Sequence, residues 1–226
     1  MTALRGSLLL VVVAVLIAIA CQPYPKTRQV SSQKTLVKTN SSAVTGAGSS
    51  SDASATLSNN FYLDTVLALI CAQFPDAKAK AEIFKNNRLG KTIDLDTVSV
   101  EKIIDIAQTY IGVPHRFGGT DRTGIDCSGL VAAACRQAGI SRFPYGSQAQ
   151  AYLGRIIPHL SDLQRGDLIF FTNTYPTTDL ITHVGIYLGN NLIIHATTSK
   201  GVVITDFANS AYWRRHYAFA TRLFTP

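Results

Sequence analysis

Several absences narrow this sequence of 226 residues before any motif is considered. The apolar run at its start, Leu8 to Ala20, has thirteen residues, short of the roughly 18 to 20 that span a bilayer. There are four cysteines and no CxxC pair, and five histidines with no HxxxH spacing, so the usual sequence signature of a zinc site is missing and no metal is expected. No Lys/Arg-rich run or nucleic-acid motif occurs, so nucleic acid is not expected as a partner despite a net charge of +7 and a pI near 9.3. No internal repeat is visible. Acidic residues are scarce, 14 against 21 basic ones, which favours an anionic neighbourhood such as lipid head groups or a wall polymer without selecting one. At 46% hydrophobic residues the chain can build a core for one domain with appendages.

The N-terminus reads as an export signal. Arg5 precedes the apolar run, and the run's length suits the h-region of a secretory signal, giving a segment over residues 1–20. It stops at "AIACQ", where Ala18, Ala20 and then Cys21 resemble the lipobox of bacterial lipoproteins, although Leu is commoner at the position of Ala18. That resemblance implies cleavage before Cys21, a lipid on Cys21 and a membrane partner through that anchor. By resemblance to Gram-negative lipoproteins, Gln22 in place of Asp implies the outer membrane, facing the periplasm. An ordinary signal peptide with an incidental cysteine is the alternative. Removing residues 1–20 takes away Arg5 and lowers the formal charge from +7 to +6. Residues 21–60, rich in Ser, Ala, Thr and Gly without apolar period, read as a flexible tether.

Residues 61–98 read as a helical extension: an apolar helix ending at Pro75, then "DAKAKAEIFKNN" with Asp76 suited to an N-cap. Cys71 in its apolar part reads as a small core residue. The main domain is expected over 99–226. Val100, Ile103, Ile104, Ala107, Tyr110 and Ile111 repeat at helical spacing, with Ser99 as cap and Gly112 and Pro114 as stop. A second helix starts at Cys127 and closes at Gly139. Then "DLIFF", "THVGIYL", "NLIIHA", "GVVIT" and "YAFATRL" read as short antiparallel strands. Helices first and strands later make an α+β fold.

Cys127 and Cys135 lie eight residues apart on that second helix, roughly 12 Å along its axis and too far for a disulfide. Cys135 falls on the apolar face with Val131 and Ala138. Cys127 sits at the helix mouth, where unpaired N–H groups and the positive dipole end favour a thiolate, and small Ser128 and Gly129 should leave the sulfur accessible. His183 opens one strand and His195 closes the next. A three-residue loop, Gly189 to Asn191, pairs Leu188 with Leu192, sets Gly185 opposite His195 and puts both histidines on one face; a two-residue turn would put them on opposite faces. The arrangement supplies a nucleophile, a base and an orienting group. The residues alone leave this balanced against a pair of satisfied strand histidines.

"GIDCSGLV", "RGDLIFF" and "HVGIYLGNNLIIHA", in that order and spacing, resemble the NlpC-type cell-wall endopeptidases, a papain-like family of cysteine peptidases, and within it the lipoprotein murein endopeptidases. The resemblance covers about Ser99 to Leu223. It implies a papain-like fold with N-terminal helices packed on a central antiparallel sheet and the nucleophile at a helix N-terminus. It implies Cys127 as nucleophile, His183 as base, His195 as polar third member, no cofactor, and peptidoglycan as substrate. Asp126 and Ser128 match positions that line the cleft in relatives. The family usually has Tyr twelve residues before the cysteine, helping to hold the oxyanion; here His115 stands there. Relatives commonly read Pro-Arg where this chain has Pro144 and Tyr145, while Gln150 keeps its place. Either the D-Ala–diaminopimelate cross-link, which is favoured, or the γ-D-glutamyl–diaminopimelate bond within a stem is the expected target. A non-catalytic wall-binding module is the alternative of another class; a permuted acyltransferase fits less well, because its histidine precedes its cysteine.

Overall fold

A computed structural model describes residues 50–87, 98–157 and 159–223, with side chains from Phe61 onward. The signal segment 1–20, Cys21 and the tether up to residue 49 lie outside the described residues. All described residues fall in one compact unit, Ala47–Pro226.

The first helix, α1, runs Ser50–Gln73, so the flexible tether expected up to residue 60 gives way to helix eleven residues before Phe61. No Gly or Pro interrupts residues 50–60. Once the packed segment from Phe61 is helical, each added residue gains a hydrogen bond without a new nucleation cost. The helix stops where Pro75 forces Phe74 into an extended conformation, φ −130° and ψ 86°. A 3-10 turn over Pro75–Ala77 leads into α2, Lys78–Asn86. Asp76 is not the N-cap of α2. Proline presets helical geometry one residue earlier, so Asp76 sits inside the turn and Ala77 takes the cap position without a side-chain bond. Leu63, Leu67, Ile70, Phe74, Ala81 and Phe84 are buried in the same core as the sheet and the later helices. Phe84 stacks on Tyr152 at 4.8 Å and meets Phe219 at 6.0 Å. The extension is therefore built into the domain.

Helix α3, Val100–Gln108, is capped by Ser99, whose Oγ accepts from the Lys102 N–H at 3.2 Å. It ends before Ile111, which is exposed and outside the core that its spacing had implied. The chain turns early because Gly112, at φ 86°, donates to the Val202 carbonyl, and Val202 donates back to Val113. A hairpin that the sequence did not reveal follows, β1 Thr120–Asp121 and β2 Gly124–Ile125. Helix α4, Cys127–Ala138, is central: Ser128 through Cys135 and Ala138 are all buried. The short α5, Ser147–Ala151, and β3, Arg155–Ile157, come next.

The remaining strands are β4 Leu168–Thr172, β5 Ile181–Gly189, β6 Leu192–Thr197, β7 Gly201–Asp206 and β8 Tyr217–Arg222, with helix α6, Ala211–His216, before β8. They form one antiparallel sheet in the order β3-β8-β4-β5-β6-β7. Alternation along β4 fills both faces: Leu168 and Phe170 join the helical core, while Ile169 and Phe171 join a second cluster with Tyr187, Ile193 and Phe207. The sheet is thus covered on both sides, which is why β4 reads as an uninterrupted apolar run.

The "RGDL" motif has a structural use. Asp167, 1% exposed, receives Arg222 side-on, Nε to Oδ1 at 2.8 Å and an Nη donor to Oδ2 at 2.8 Å, and also accepts the Gln164 N–H. The pair ties the start of β4 to the end of β8. Arg222→Met would strand a buried carboxylate, so we expect a loss of about 3–5 kcal/mol of stability in chemical denaturation; a loss below about 1 kcal/mol would show that water reaches Asp167.

Candidate active site

The site is assembled where the N-terminus of α4 meets β5 and β6. The mouth of α4 is fixed from below. Asp126 caps the helix, its Oδ1 accepting the Gly129 N–H at 2.6 Å and the Ser128 hydroxyl at 2.9 Å, while Oδ2 accepts the Gly118 N–H at 2.8 Å. A Cβ on Gly129 would collide with the Gly119 carbonyl, so glycine lets the helix start lie directly on the preceding loop. Gln150, fully buried, donates to the Ser128 and Pro144 carbonyls at 2.9 Å each. Asp126 and Ser128 therefore hold the loop and helix together; the Ser128 hydroxyl is engaged with Asp126 and the residue is buried.

Cys127, the first residue of α4, is half-buried and free. The ladder between β5 and β6 runs from Gly189↔Leu192 to Ile186↔Ile194. Past its end, the Val184 N–H turns toward the Cys127 thiol, as do the N–H groups of Ser128 and Cys127 itself. These donors favour a thiolate, as the sequence reading anticipated, but they do not prevail. Burial, reinforced by the Asp126 carboxylate, pushes the thiol up to about 12. Burial and the Asp126 carboxylate thus act against the thiolate that the helix start favours. Cys135, 1% exposed in the core, is likewise pushed up to about 12 by burial.

His183 and His195 meet: His183 Nε2 and His195 Nδ1 are 2.9 Å apart, with the rings at 75°. They share a face through a route that the loop count missed. The turn has two residues, Asn190 and Asn191, both at positive φ, closing Gly189↔Leu192, and a bulge at Leu188 restores the offset. The two irregularities cancel, so Ile186 still faces Ile194 and the histidines stay together. Gly185 has backbone room for the approach; a Cβ there would stand 3.1 Å from the Ile194 carbonyl oxygen and 3.2 Å from the His195 Cβ.

The dyad lies among aromatic rings. Trp213 from α6 stacks on His183 with centroids 4.8 Å apart at 27°, and meets His195 edge-on at 4.8 Å. Phe171 lies 5.7 Å from His183 and 4.8 Å from Trp213. Burial holds His183 well below the ordinary imidazole value, with further opposition from His195 and His115, and burial lowers His195 to about 4. Both rings are neutral near pH 7. The remaining nitrogen of His195, Nε2, lies 2.9 Å from the Thr205 hydroxyl of β7. Sequence reasoning missed Trp213 and Thr205. The single tryptophan offered no spacing clue, whereas the β6–β7 register, in which His195 pairs with Val203 and Ile193 with Thr205, places Thr205 on the face of His195.

His115 is half-buried on the loop that bridges to Ile125, two residues before Cys127, and its charge bears on His183. The structure thus brings Cys127, His183, His195 and His115 into one neighbourhood. Exposed Phe117 from the same loop meets Tyr175 edge-on at 6.1 Å. The Arg136 guanidinium lies 4.0 Å over the Tyr145 ring. Among the described residues no group of three or more His, Cys, Asp or Glu side chains is placed to hold a metal ion.

Comparison with known proteins matches this fold. The NlpC/P60 family pattern matches residues 112–222. The chain is 36% identical over 163 residues to the probable endopeptidase NlpC of Escherichia coli, covering 72% of this chain and 99% of that protein. It is 34% identical over 146 residues to murein DD-endopeptidase MepS/murein LD-carboxypeptidase of the same organism, covering 65% and 71%. It is 32% identical over 169 residues to the gamma-DL-glutamyl hydrolase of Bacillus subtilis, covering 74% and 38%. A solved lipoprotein-like protein of the NLP/P60 family from Staphylococcus aureus superposes with a TM-score of 0.51 at 37% identity, covering 61% of this chain and 44% of that one. The fold and site define an α+β domain of the papain-like type. The chain belongs to the NlpC/P60 family.

The neutral histidines carry a stability consequence. Their folded values lie below the ordinary 6.5, so the unfolded chain binds more protons as pH falls. Their contribution is complete above pH 6.5 and is lost as pH falls toward about 4 for His195. For each histidine the slope approaches about 1.4 kcal/mol per pH unit only well below its unfolded value and above its folded one. Urea unfolding between pH 6.5 and 5 should show a slope that His195→Gln reduces by about half; an unchanged slope would mean that His195 is not the titrating group.

Proposed function

We propose that this protein is a peptidoglycan endopeptidase acting as a cysteine peptidase, with Cys127 as nucleophile, His183 as base and His195 as the group that orients it. One observation carries the reading: a hydrogen-bonded pair of neutral histidines at 2.9 Å, with the N–H of Val184, next to His183 in sequence, reaching the thiol at a helix N-terminus. A neutral imidazole has the lone pair that a base needs, and a neutral thiol has the proton to give. As the Cys127 sulfur attacks the scissile carbonyl, its proton passes to His183. The tetrahedral oxyanion then faces the N-terminus of α4, where backbone N–H groups donate to the developing charge, with His115 as the loop donor in place of the usual tyrosine. Collapse expels the amine, which takes the proton from His183, and leaves a thioester on Cys127. Water, deprotonated by His183, attacks the thioester, releasing the carboxylate and restoring the thiol. The steps need no metal or cofactor.

Peptide bonds of murein stems or cross-links are the proposed substrate. The D-Ala–diaminopimelate cross-link is favoured by likeness to a murein DD-endopeptidase. The γ-D-glutamyl–diaminopimelate bond is the second reading, favoured by likeness to a gamma-DL-glutamyl hydrolase. The apolar run ending at Cys21 supports attachment through a lipid on that residue, at the outer membrane facing the periplasm. The net positive charge suits an anionic wall.

Mass spectrometry of purified muropeptides tests both levels. Wild-type protein should convert cross-linked dimers into monomers with intact stems, while Cys127→Ala should lower turnover by at least about a thousandfold. Stems shortened at the γ-glutamyl bond would select the second reading. Equal wall lysis by wild type and Cys127→Ala would remove the enzyme altogether and leave a binding module.

A further inference from the structure

We propose that Thr205 is a positioning residue that selects the working tautomer of both histidines, by accepting a hydrogen bond from His195 Nε2. The proposal rests on the assignment of His183 as base. Its geometry is a line of three groups across β5, β6 and β7: His183 Nε2 to His195 Nδ1 at 2.9 Å, and His195 Nε2 to Thr205 Oγ1 at 2.9 Å.

Each neutral imidazole carries one N–H and one lone pair, so the polarity of the line is set as a whole. His183 Nε2 is bound to His195, which leaves Nδ1 as the nitrogen for the thiol. For Nδ1 to accept a proton it must be bare, so the ring proton of His183 sits on Nε2 and is donated to His195. His195 Nδ1 must then be bare, and its proton sits on Nε2, directed at Thr205. In the reverse polarity, Thr205 would donate to His195, His195 Nδ1 would donate to His183, and His183 would present an N–H to a neutral thiol. No proton transfer could follow.

Burial decides how much the partner matters. His195 has no solvent exposure, so the proton on Nε2 has no water to turn to, while Thr205 is half-buried and its own hydroxyl proton can point outward. Without the hydroxyl, the working polarity would leave a buried N–H donor orphaned, and the reverse would leave only a bare acceptor. Orphaned buried donors are the rarer and costlier case. Losing Thr205 therefore tips the pair toward the idle tautomers. Trp213 and Phe171 hold the ring planes but offer the pair no acceptor, so they cannot replace it.

The test reads tautomers and turnover together in the full chain. With nitrogen-15 histidine, wild-type protein near neutral pH should show protons on Nε2 of both His183 and His195 and bare Nδ1 atoms. In Thr205→Val, Nδ1–H signals should appear on both rings, and kcat should fall at least about tenfold with KM within about twofold, a part of the roughly 10²–10⁴-fold that a general base supplies. Thr205→Ser should restore both readouts. A wild-type His183 with its proton on Nδ1, a Thr205→Val protein with unchanged tautomers and turnover, or a loss that serine does not restore would each overturn the assignment. The tautomer pattern can also be read in Cys127→Ala, so a failure of the endopeptidase reading, seen as no hydrolysis by wild type, is separable from a failure of this one.

Discussion

A neutral imidazole largely buried among aromatic rings must find a hydrogen-bond partner within the protein, because little water reaches it and burial disfavours its charged form. The His183–His195 bond meets that demand, and much of the molecule is arranged around it. The bulge at Leu188 and the Asn190–Asn191 turn bring the rings to one face. Gly185 gives up its side chain for their approach. Trp213, delivered by α6, covers them. The same enclosure that lowers both histidines keeps His183 in the basic form at neutral pH, so the packing and the chemistry have a common cause.

The thiol side of the site is governed by a competition between desolvation and the helix terminus. A cysteine at a helix N-terminus is commonly read as an activated thiolate. Here the terminus is closed by Asp126, whose carboxylate caps the helix, staples the Gly118 loop and opposes charge on the adjacent sulfur. Burial adds the larger share of that opposition. The backbone N–H groups around Cys127 favour a charged sulfur but are outweighed by burial at rest, and they remain placed for charge that develops as the proton leaves.

The fold was legible in the sequence where periodicity is local. Five strands and two central helices stand close to where their apolar patterns placed them, because β-branched runs and turn residues act within a few positions. The pairing of the histidines was legible too, although the turn differs from the expected one and a bulge supplies the missing residue. What escaped depends on contacts distant in sequence. Helix α1 starts at Ser50 because a packed segment downstream extends into polar residues. Three-residue β3 has too little pattern to announce itself and forms on β8. Trp213 and Thr205 join the site from elements whose sequence shows no catalytic spacing. The thiol's protonation state could not be read from a helix start, since it turns on how much water the folded chain excludes.

The chemistry depends on a resting pair of neutral groups, Cys127 as thiol and His183 as bare base. The direct measurement is the ultraviolet absorbance of the Cys127 thiolate in the free enzyme, taken as the difference between wild type and Cys127→Ser and followed from neutral to strongly alkaline pH. No Cys127 thiolate is expected at neutral pH, and it should appear only as the solution nears a pKa of about 12. A thiolate signal at neutral pH that vanishes in His183→Gln would show a preformed thiolate–imidazolium pair and contradict the neutral one.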